Sequence, residues 1–147
     1  MKIFFNLVLF FACGTIFLLA QDTYDSGGPL IPEQAAYDVT FYDLQLEIDP
    51  EQKSISGSNA IRFRSDDLLE KFVLDFDALF VIDSVLVKGN LSAPMLTSFE
   101  RIGSKIWIDL QKTMNKGDSA TVIVHYHGQP REAPNPPWNG GFTWEKT

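Results

Sequence analysis

The chain has very little of the two residue types that most often build reactive sites, with one cysteine and two histidines in 147 residues. The single Cys13 cannot form an intrachain disulfide, so the fold must depend on a packed apolar core. Basic residues are also scarce, at 12 against 19 acidic ones, and the net charge of −7 argues against a nucleic-acid partner. No serine lies in a Gly-x-Ser-x-Gly turn, so nothing indicates a serine nucleophile.

The longest apolar stretch covers 3–19 and falls short of the roughly 20 residues that a membrane-spanning helix needs. It follows the basic Lys2 and ends before Ala20, where the sequence becomes abruptly polar. This pattern predicts a signal peptide over 1–20, cleaved after Ala20, and hence export to the periplasm or the extracellular space with no stable membrane span remaining. Two alternatives stay open: a lipid anchor on Cys13 and an uncleaved membrane anchor.

Alternation of apolar and polar residues predicts that the rest of the chain is all-β, an antiparallel β-sandwich of seven or eight short strands without a convincing helix. Residues 21–36 are predicted to be an extended lead-in, and 37–130 the β-domain. The apolar phase changes within the first strand, which predicts a bulge near Tyr42-Asp43. Gly57, inside the second, predicts a bulge or the close approach of another backbone. The predicted strands cover 37–48, 55–65, 72–77, 80–87, 95–99, 105–110 and 120–127.

Two groups of side chains carry candidate chemistry, and the structural interpretation is favoured for both. His125 and His127 lie on one face of a strand about 6–7 Å apart, close enough to share a metal, but no third histidine completes a site. Asp75, Asp77 and the nearby Asp83 are expected on solvated strand faces, because no calcium-loop spacing surrounds them. The prediction is therefore that this chain contains no catalytic, metal-binding or cofactor-binding residue.

The segment 131–147 combines prolines, glycines and large aromatic residues, and it cannot form a regular helix or a central strand. Aromatic rings are costly to leave in water, so the segment is expected to pack on another surface. We expect apolar surface to be exposed here in the isolated chain, and deletion of 134–147 to cost little stability and to improve solubility. The residues predicted to make the contact are Pro136, Pro137, Trp138, Gly140, Gly141, Phe142 and Trp144.

Short motifs distributed over nearly all of the chain after residue 36 add a further indication. They are Tyr37-Asp38-Val39, Leu44-x-Leu46-x-Ile48-Asp49-Pro50, Ile55-Ser56-Gly57-Ser58, Ile61-x-Phe63, Leu74-Asp75-Phe76, Leu79, Val85-x-Val87, Val122-x-Val124-x-Tyr126-x-Gly128-x-Pro130 and Pro136-Pro137-Trp138-x-Gly140-Gly141-Phe142. In their order and spacing they resemble the amino-terminal domain of the M1 family of zinc aminopeptidases. The last motif resembles a loop found at this point in a group of bacterial members.

The resemblance implies a saddle-shaped, mainly antiparallel β-domain that covers a thermolysin-like catalytic domain. In the family, the catalytic domain holds zinc through a His-Glu-x-x-His helix and a further glutamate, and a Gly-x-Met-Glu-Asn segment binds the substrate's α-amine. None of these motifs occurs in this sequence, so no catalytic residue is carried over. Zinc and peptide substrate are expected only through the catalytic domain of the same polypeptide, which is the expected partner.

Two functions follow from the sequence. In the first, the chain is the non-catalytic N-terminal domain of an exported M1-type zinc aminopeptidase, with 131–147 facing the catalytic domain. In the second, it is a stand-alone exported β-sandwich that binds peptide or protein through its aromatic loop. The sequence encoded after Thr147 separates the two, because the first function requires a His-Glu-x-x-His motif there.

Overall fold

The computed structural model describes residues 29–89, 92–136 and 140–145. This part of the chain consists of eight strands and one short helix, which confirms the all-β class. The elements are α1 (Pro32–Ala35), β1 (Tyr37–Asp49), β2 (Ser54–Ser65), β3 (Leu69–Asp75), β4 (Phe80–Gly89), β5 (Met95–Leu96), β6 (Phe99–Ile102), β7 (Lys105–Met114) and β8 (Ser119–Gly128). No helix within the described ranges is long and apolar enough to cross a membrane. The predicted signal peptide lies outside them.

The strands form two antiparallel sheets that pack against each other over a shared apolar core. The larger sheet has the order β1-β2-β8-β4-β5, and the smaller has the order β3-β7-β6. β8, the last strand in the sequence, lies in the middle of the larger sheet and pairs with both β2 and β4. The antiparallel β-sandwich predicted from the sequence is therefore confirmed.

The core is built from alternate residues of both sheets. Phe63 of β2 and Phe72 of β3 are fully buried, with ring centroids 4.6 Å apart. Tyr37 of β1 packs on both rings, and its hydroxyl donates a 2.6 Å hydrogen bond to the Val73 carbonyl oxygen. Burial is the main cause that raises the pKa of Tyr37 to about 12, so the phenol stays protonated and remains a donor.

The end of the lead-in differs from the extended conformation predicted for it. Residues 32–35 form one helical turn, in which the Ala35 amide donates to the Ile31 carbonyl oxygen at 3.0 Å. Pro32 favours this turn because its fixed φ suits the first helical position. The side-chain amide of Gln34 then donates to Asp75 Oδ2 at 3.0 Å, which fastens α1 to the end of β3.

The bulge of β1 exists but lies at Thr40, not at the predicted Tyr42-Asp43. Val39 pairs with Phe63, whereas Phe41 already pairs with Arg62. Phe41 therefore lies on the outer face of the sheet, where its ring centroid is 5.8 Å from the Arg62 guanidinium carbon, within cation–π distance. Phe41, the residue after the bulge, is apolar, so the alternation of apolar and polar residues continues past Thr40 in the sequence. The sequence pattern therefore predicts the bulge too late in the strand.

The stretch predicted as one strand over 95–99 is divided between the two sheets. β5 pairs with β4 in the larger sheet, and β6 pairs with β7 in the smaller one. Thr97 connects the sheets, because its amide donates to the Val85 carbonyl at 3.0 Å and its hydroxyl to the Asp109 carbonyl at 2.6 Å. Both halves are extended, so local alternation cannot show that the chain changes sheet between them.

The close approach predicted at Gly57 is confirmed. A Cβ atom there would lie 2.0 Å from the Gln45 carbonyl oxygen of β1, so β1 would have to shift away from β2. We expect Gly57→Ala to lower the free energy of unfolding by about 1–3 kcal/mol, as overpacking does elsewhere. Urea denaturation measures the effect, with Gly140→Ala as the control, since a Cβ at Gly140 meets no atom within 4 Å. Equal midpoints for the two variants would contradict the close approach.

Candidate functional site

The C-terminal segment, described over residues 129–136 and 140–145, contacts the turn that joins β1 to β2. The side-chain amide of Gln129 donates to the Gln52 carbonyl oxygen at 3.0 Å. Lys53 of the turn forms an ion pair with Glu132, with Nζ and Oε1 2.7 Å apart. The described part of the segment is thus tied to one end of the larger sheet.

The same segment is closed on itself by a short parallel bridge between Glu132 and Phe142. The Phe142 amide donates to the Arg131 carbonyl at 2.7 Å, and the Ala133 amide donates to the Phe142 carbonyl at 3.0 Å. Gly141, at φ +145°, permits the bridge, because a Cβ there would lie 2.7 Å from the Arg131 carbonyl oxygen. The predicted Pro/Gly loop is therefore an ordered turn in its described part.

Phe142 and Trp144 stack on each other, with ring centroids 5.6 Å apart, and both are half-buried against the core of the sandwich. The apolar surface expected at these two residues is therefore partly covered, because the bridge to Glu132 turns the segment back onto the domain. Pro136, Gly140 and Gly141 are exposed. Pro137 and Trp138 lie outside the described residues, and the contact predicted for all seven residues stays a prediction.

Asp77 is the residue that fastens the C-terminal segment to the loop between β3 and β4. Its Oδ2 accepts a hydrogen bond from Arg131 at 2.9 Å, and its Oδ1 accepts one from the Leu79 amide at 3.0 Å. Arg101 donates to the Asp77 carbonyl oxygen at 3.2 Å and to the Phe80 carbonyl at 2.9 Å. The solvated position predicted for Asp77 is therefore wrong, since the residue is half-buried among hydrogen bonds. Asp75, at the end of β3, is exposed and forms an ion pair with Lys105.

Partial burial would raise the pKa of Asp77, but the Leu79 amide and the guanidinium groups of Arg131 and Arg101 outweigh it and hold that pKa below 3.8. The folded state thus favours the carboxylate, and the stabilisation is present above 3.8 and is lost as the pH falls through the lower folded pKa. We expect Asp77→Asn to weaken the decline in melting temperature below about pH 4. Asp66→Asn, at an exposed ion pair with Arg64, is the control. An unchanged profile in Asp77→Asn would contradict the assignment.

His125 and His127 are exposed on the outer face of the larger sheet, and His125 lines a shallow groove of about 480 Å³. His127 Nδ1 lies 2.8 Å from Asp83 Oδ1, so one imidazole already has a partner. No group of three or more His, Cys, Asp or Glu side chains in residues 29–89, 92–136 and 140–145 is arranged for a metal ion. Two imidazoles and one carboxylate are the donor types of the family's zinc site, but in the described residues these three side chains are not arranged as a metal-binding group.

One surface was not anticipated from the sequence. Tyr42, Leu44, Leu46 and Ile48 of β1, here called the β1 strip, pair with Ile61, Asn59, Gly57 and Ile55 of β2 and therefore share their core-side face. Ile61 and Ile55 are buried, yet the strip residues are 55%, 55%, 43% and 52% exposed in chain order. The apolar alternation of β1 indicates which of its faces is turned toward the core. No local feature of the sequence shows that the smaller sheet does not extend over these four residues.

Comparison with known proteins identifies the architecture. No family model and no curated protein matches the sequence. The M1 zinc metallopeptidase of Deinococcus radiodurans is similar in structure, with 21% identity and a TM-score of 0.64 over 78% of this chain and 25% of that chain. A mutant of such an enzyme from the same organism, bound to a Tyr-Ser-Ala substrate, gives 21% identity and a TM-score of 0.58 over 71% of this chain and 23% of that chain.

A two-domain M1 zinc metallopeptidase mutant bound to L-arginine matches at 21% identity with a TM-score of 0.58, over 71% of this chain and 23% of that chain. The chain thus spans about a quarter of the length of these structures. At 21% identity, the similarity to these peptidases shows a shared fold and no more than that. The chain has the fold of the amino-terminal β-domain of M1 zinc metallopeptidases.

Proposed function

We propose that this chain is the non-catalytic N-terminal domain of an exported M1-type zinc aminopeptidase, in which it supports and covers the catalytic domain. The observation that carries the proposal is the structural match, which covers 71–78% of this chain but only 23–25% of the peptidases. The motifs from Tyr37 to Phe142 support the same assignment. Zinc, the water that it activates and the substrate's α-amine then belong to the catalytic domain.

Two surfaces of the domain suit such a role. The C-terminal segment is held against the sandwich by the ion pairs Asp77–Arg131 and Lys53–Glu132, which fix the position of its described part. The β1 strip offers apolar area that the described part of the chain leaves uncovered. Apolar surface of this kind marks interaction sites in soluble proteins.

The proposal is tested by extending the gene past Thr147. The extended protein is expected to contain a His-Glu-x-x-His motif and to release N-terminal residues from peptides in a zinc-dependent manner that a chelator abolishes. The chain of residues 21–147 is expected to show no such activity, because it lacks the family's ligand and amine-binding motifs. Chelator-sensitive activity in a clean preparation of 21–147 would contradict this assignment. A genuine stop codon with a stable monomeric product would favour the stand-alone binding module.

Export is the second part of the proposal, and the basic, apolar and polar succession over 1–21 supports it. Expression of the full chain is expected to give a mature protein that begins at Gln21. Mass spectrometry of the purified N-terminus measures this. A chain that begins at a lipid-modified Cys13 would instead show anchoring to a membrane.

A further inference from the structure

A cavity of about 410 Å³ lies on the outer face of the smaller sheet, between α1 and the first residues of β3. Trp107 of β7 belongs to this face, because its neighbours Ile106 and Ile108 are fully buried on the opposite one. The volume is within the range of small-molecule sites. The half-buried Trp107 lines the cavity together with the apolar residues Pro32, Ala36, Leu68 and Leu69.

The side of the cavity that α1 forms is held in place by three hydrogen bonds. The side-chain amide of Gln34 donates to Asp75 Oδ2 at 3.0 Å. The Ala36 carbonyl oxygen accepts from the amides of Asp66 and Asp67 at 2.8 Å and 3.2 Å. These bonds join α1 to β3 and to the loop that follows β2. The cavity is therefore preformed, which reduces the ordering that a ligand would have to impose.

The charged side chains around the cavity are mostly acidic. Glu33, Asp67 and Glu70 line it, and Lys71 is the one cation among its lining residues, so three carboxylates face a single ammonium group. Asp67 Oδ1 already accepts a hydrogen bond from the Leu68 amide at 2.7 Å. Within the described residues, the side chains of Glu33 and Glu70 have no hydrogen bond and no ion pair. Both carboxylates are thus available to a ligand.

An indole ring beside available carboxylates is suited to one class of ligand. The face of Trp107 attracts a cation, and the carboxylates of Glu33 and Glu70 attract it as well. The apolar lining suits an aliphatic stem, which long cationic side chains readily bury. An anion would be repelled by the excess of carboxylates. A neutral apolar molecule would contact Trp107 but would gain nothing from the two glutamates.

We propose that this cavity binds an organic cation, an ammonium or guanidinium group on an apolar stem such as the side chain of lysine or arginine. The stem packs on Trp107, and the charged group interacts with Glu33 and Glu70. The lining residues all belong to this β-domain, so occupancy of the site does not depend on a catalytic domain.

A titration of the purified chain with two matched probes tests the proposal. N-acetyl-arginine amide carries the guanidinium group, and N-acetyl-citrulline amide has nearly the same shape without the charge. The arginine probe is expected to shift the Trp107 indole N–H resonance in NMR spectra, which Trp107→Phe identifies by its loss. The citrulline probe should bind more weakly by a factor on the order of ten, because it lacks the cation–π contact and the ion pairs.

Charge variants distinguish this site from general attraction to an acidic protein. Glu70→Gln is expected to weaken binding of the arginine probe by about twofold to fivefold, and Lys71→Gln to strengthen it by a similar factor. Glu51→Gln is the matched control, because Glu51 is an exposed acid in the turn between β1 and β2, outside the cavity. Circular dichroism melts check that each variant is folded.

Equal affinity for the two probes would overturn the proposal, since the charge would then play no part in binding. The same holds if Glu51→Gln weakens binding as much as Glu70→Gln does, because the attraction would then come from the overall charge of the protein. No shift of the Trp107 resonance at probe concentrations up to about 20 mM, which corresponds to negligible affinity, would overturn it as well. Each of these results leaves the proposed function standing.

Discussion

Phe72→Ala is expected to lower the free energy of unfolding by about 3–5 kcal/mol, the cost of removing a fully buried ring from a packed core. Phe72 is 0% exposed, and its ring lies 4.3 Å from that of Tyr37 and 4.6 Å from that of Phe63, between centroids. It therefore joins β1, β2 and β3 at the point where the two sheets meet. A domain of this size is stable by about 5–15 kcal/mol, so the variant should lose a large share of its stability.

Urea denaturation followed by circular dichroism measures the effect. Phe41→Ala is the control, because the same side chain is removed from an exposed position whose one described aromatic contact is with Arg62. It is expected to cost less than about 1 kcal/mol. Similar costs for the two variants would mean that the sheets do not pack through Phe72.

The double variant Phe142→Ala/Trp144→Ala is expected to lower the free energy of unfolding by about 3–5 kcal/mol. Each half-buried ring removes roughly 100 Å² from water, which corresponds to about 2.5 kcal/mol at 25 cal/mol per Å². The rings are stacked on each other, so their contributions are not simply additive. Deletion of 134–147 should lower stability for the same reason, contrary to the expectation drawn from the sequence.

Circular dichroism melts are suited to this comparison, because the double variant also loses a tryptophan fluorophore. Ile102→Ala is the control, since Ile102 is apolar but 54% exposed. A double variant as stable as this control would show that Phe142 and Trp144 are held away from the core in solution. The loop would then be available as a contact surface in the isolated chain.

The alternation of apolar and polar residues was sufficient to predict the buried face of strands whose two faces differ clearly in polarity. In β2, Ile61 and Phe63 alternate with Arg62 and Arg64, and the structure buries the first pair and exposes the second. Gly57 was also interpreted correctly, because glycine within an alternating strand has few structural reasons to be there. These features depend on neighbours along the chain, which the sequence displays directly.

Features that depend on distant parts of the chain were not visible in the pattern. Leu44 has the alternation of a core residue, and its exposure is decided by how far the smaller sheet extends. Asp77 has the alternation of a solvated residue, and its hydrogen bond to Arg131 crosses 54 positions of sequence. The packing of Phe142 is likewise decided by its bridge to Glu132. Composition predicted that the aromatic loop packs on a surface, but not which surface.

The central place of β8 has a consequence for the order in which the protein folds. Strands β2 and β4 are neighbours of β8 and not of each other, so the larger sheet cannot form until Ser119–Gly128 has been synthesised. Before that point the β1–β2 hairpin is the largest part of this sheet that can pair, and an isolated hairpin is marginally stable in water. Folding therefore depends on contacts between distant parts of the chain and is slow compared with that of a helical domain. The nascent chain up to residue 118 therefore lacks the central strand of the larger sheet.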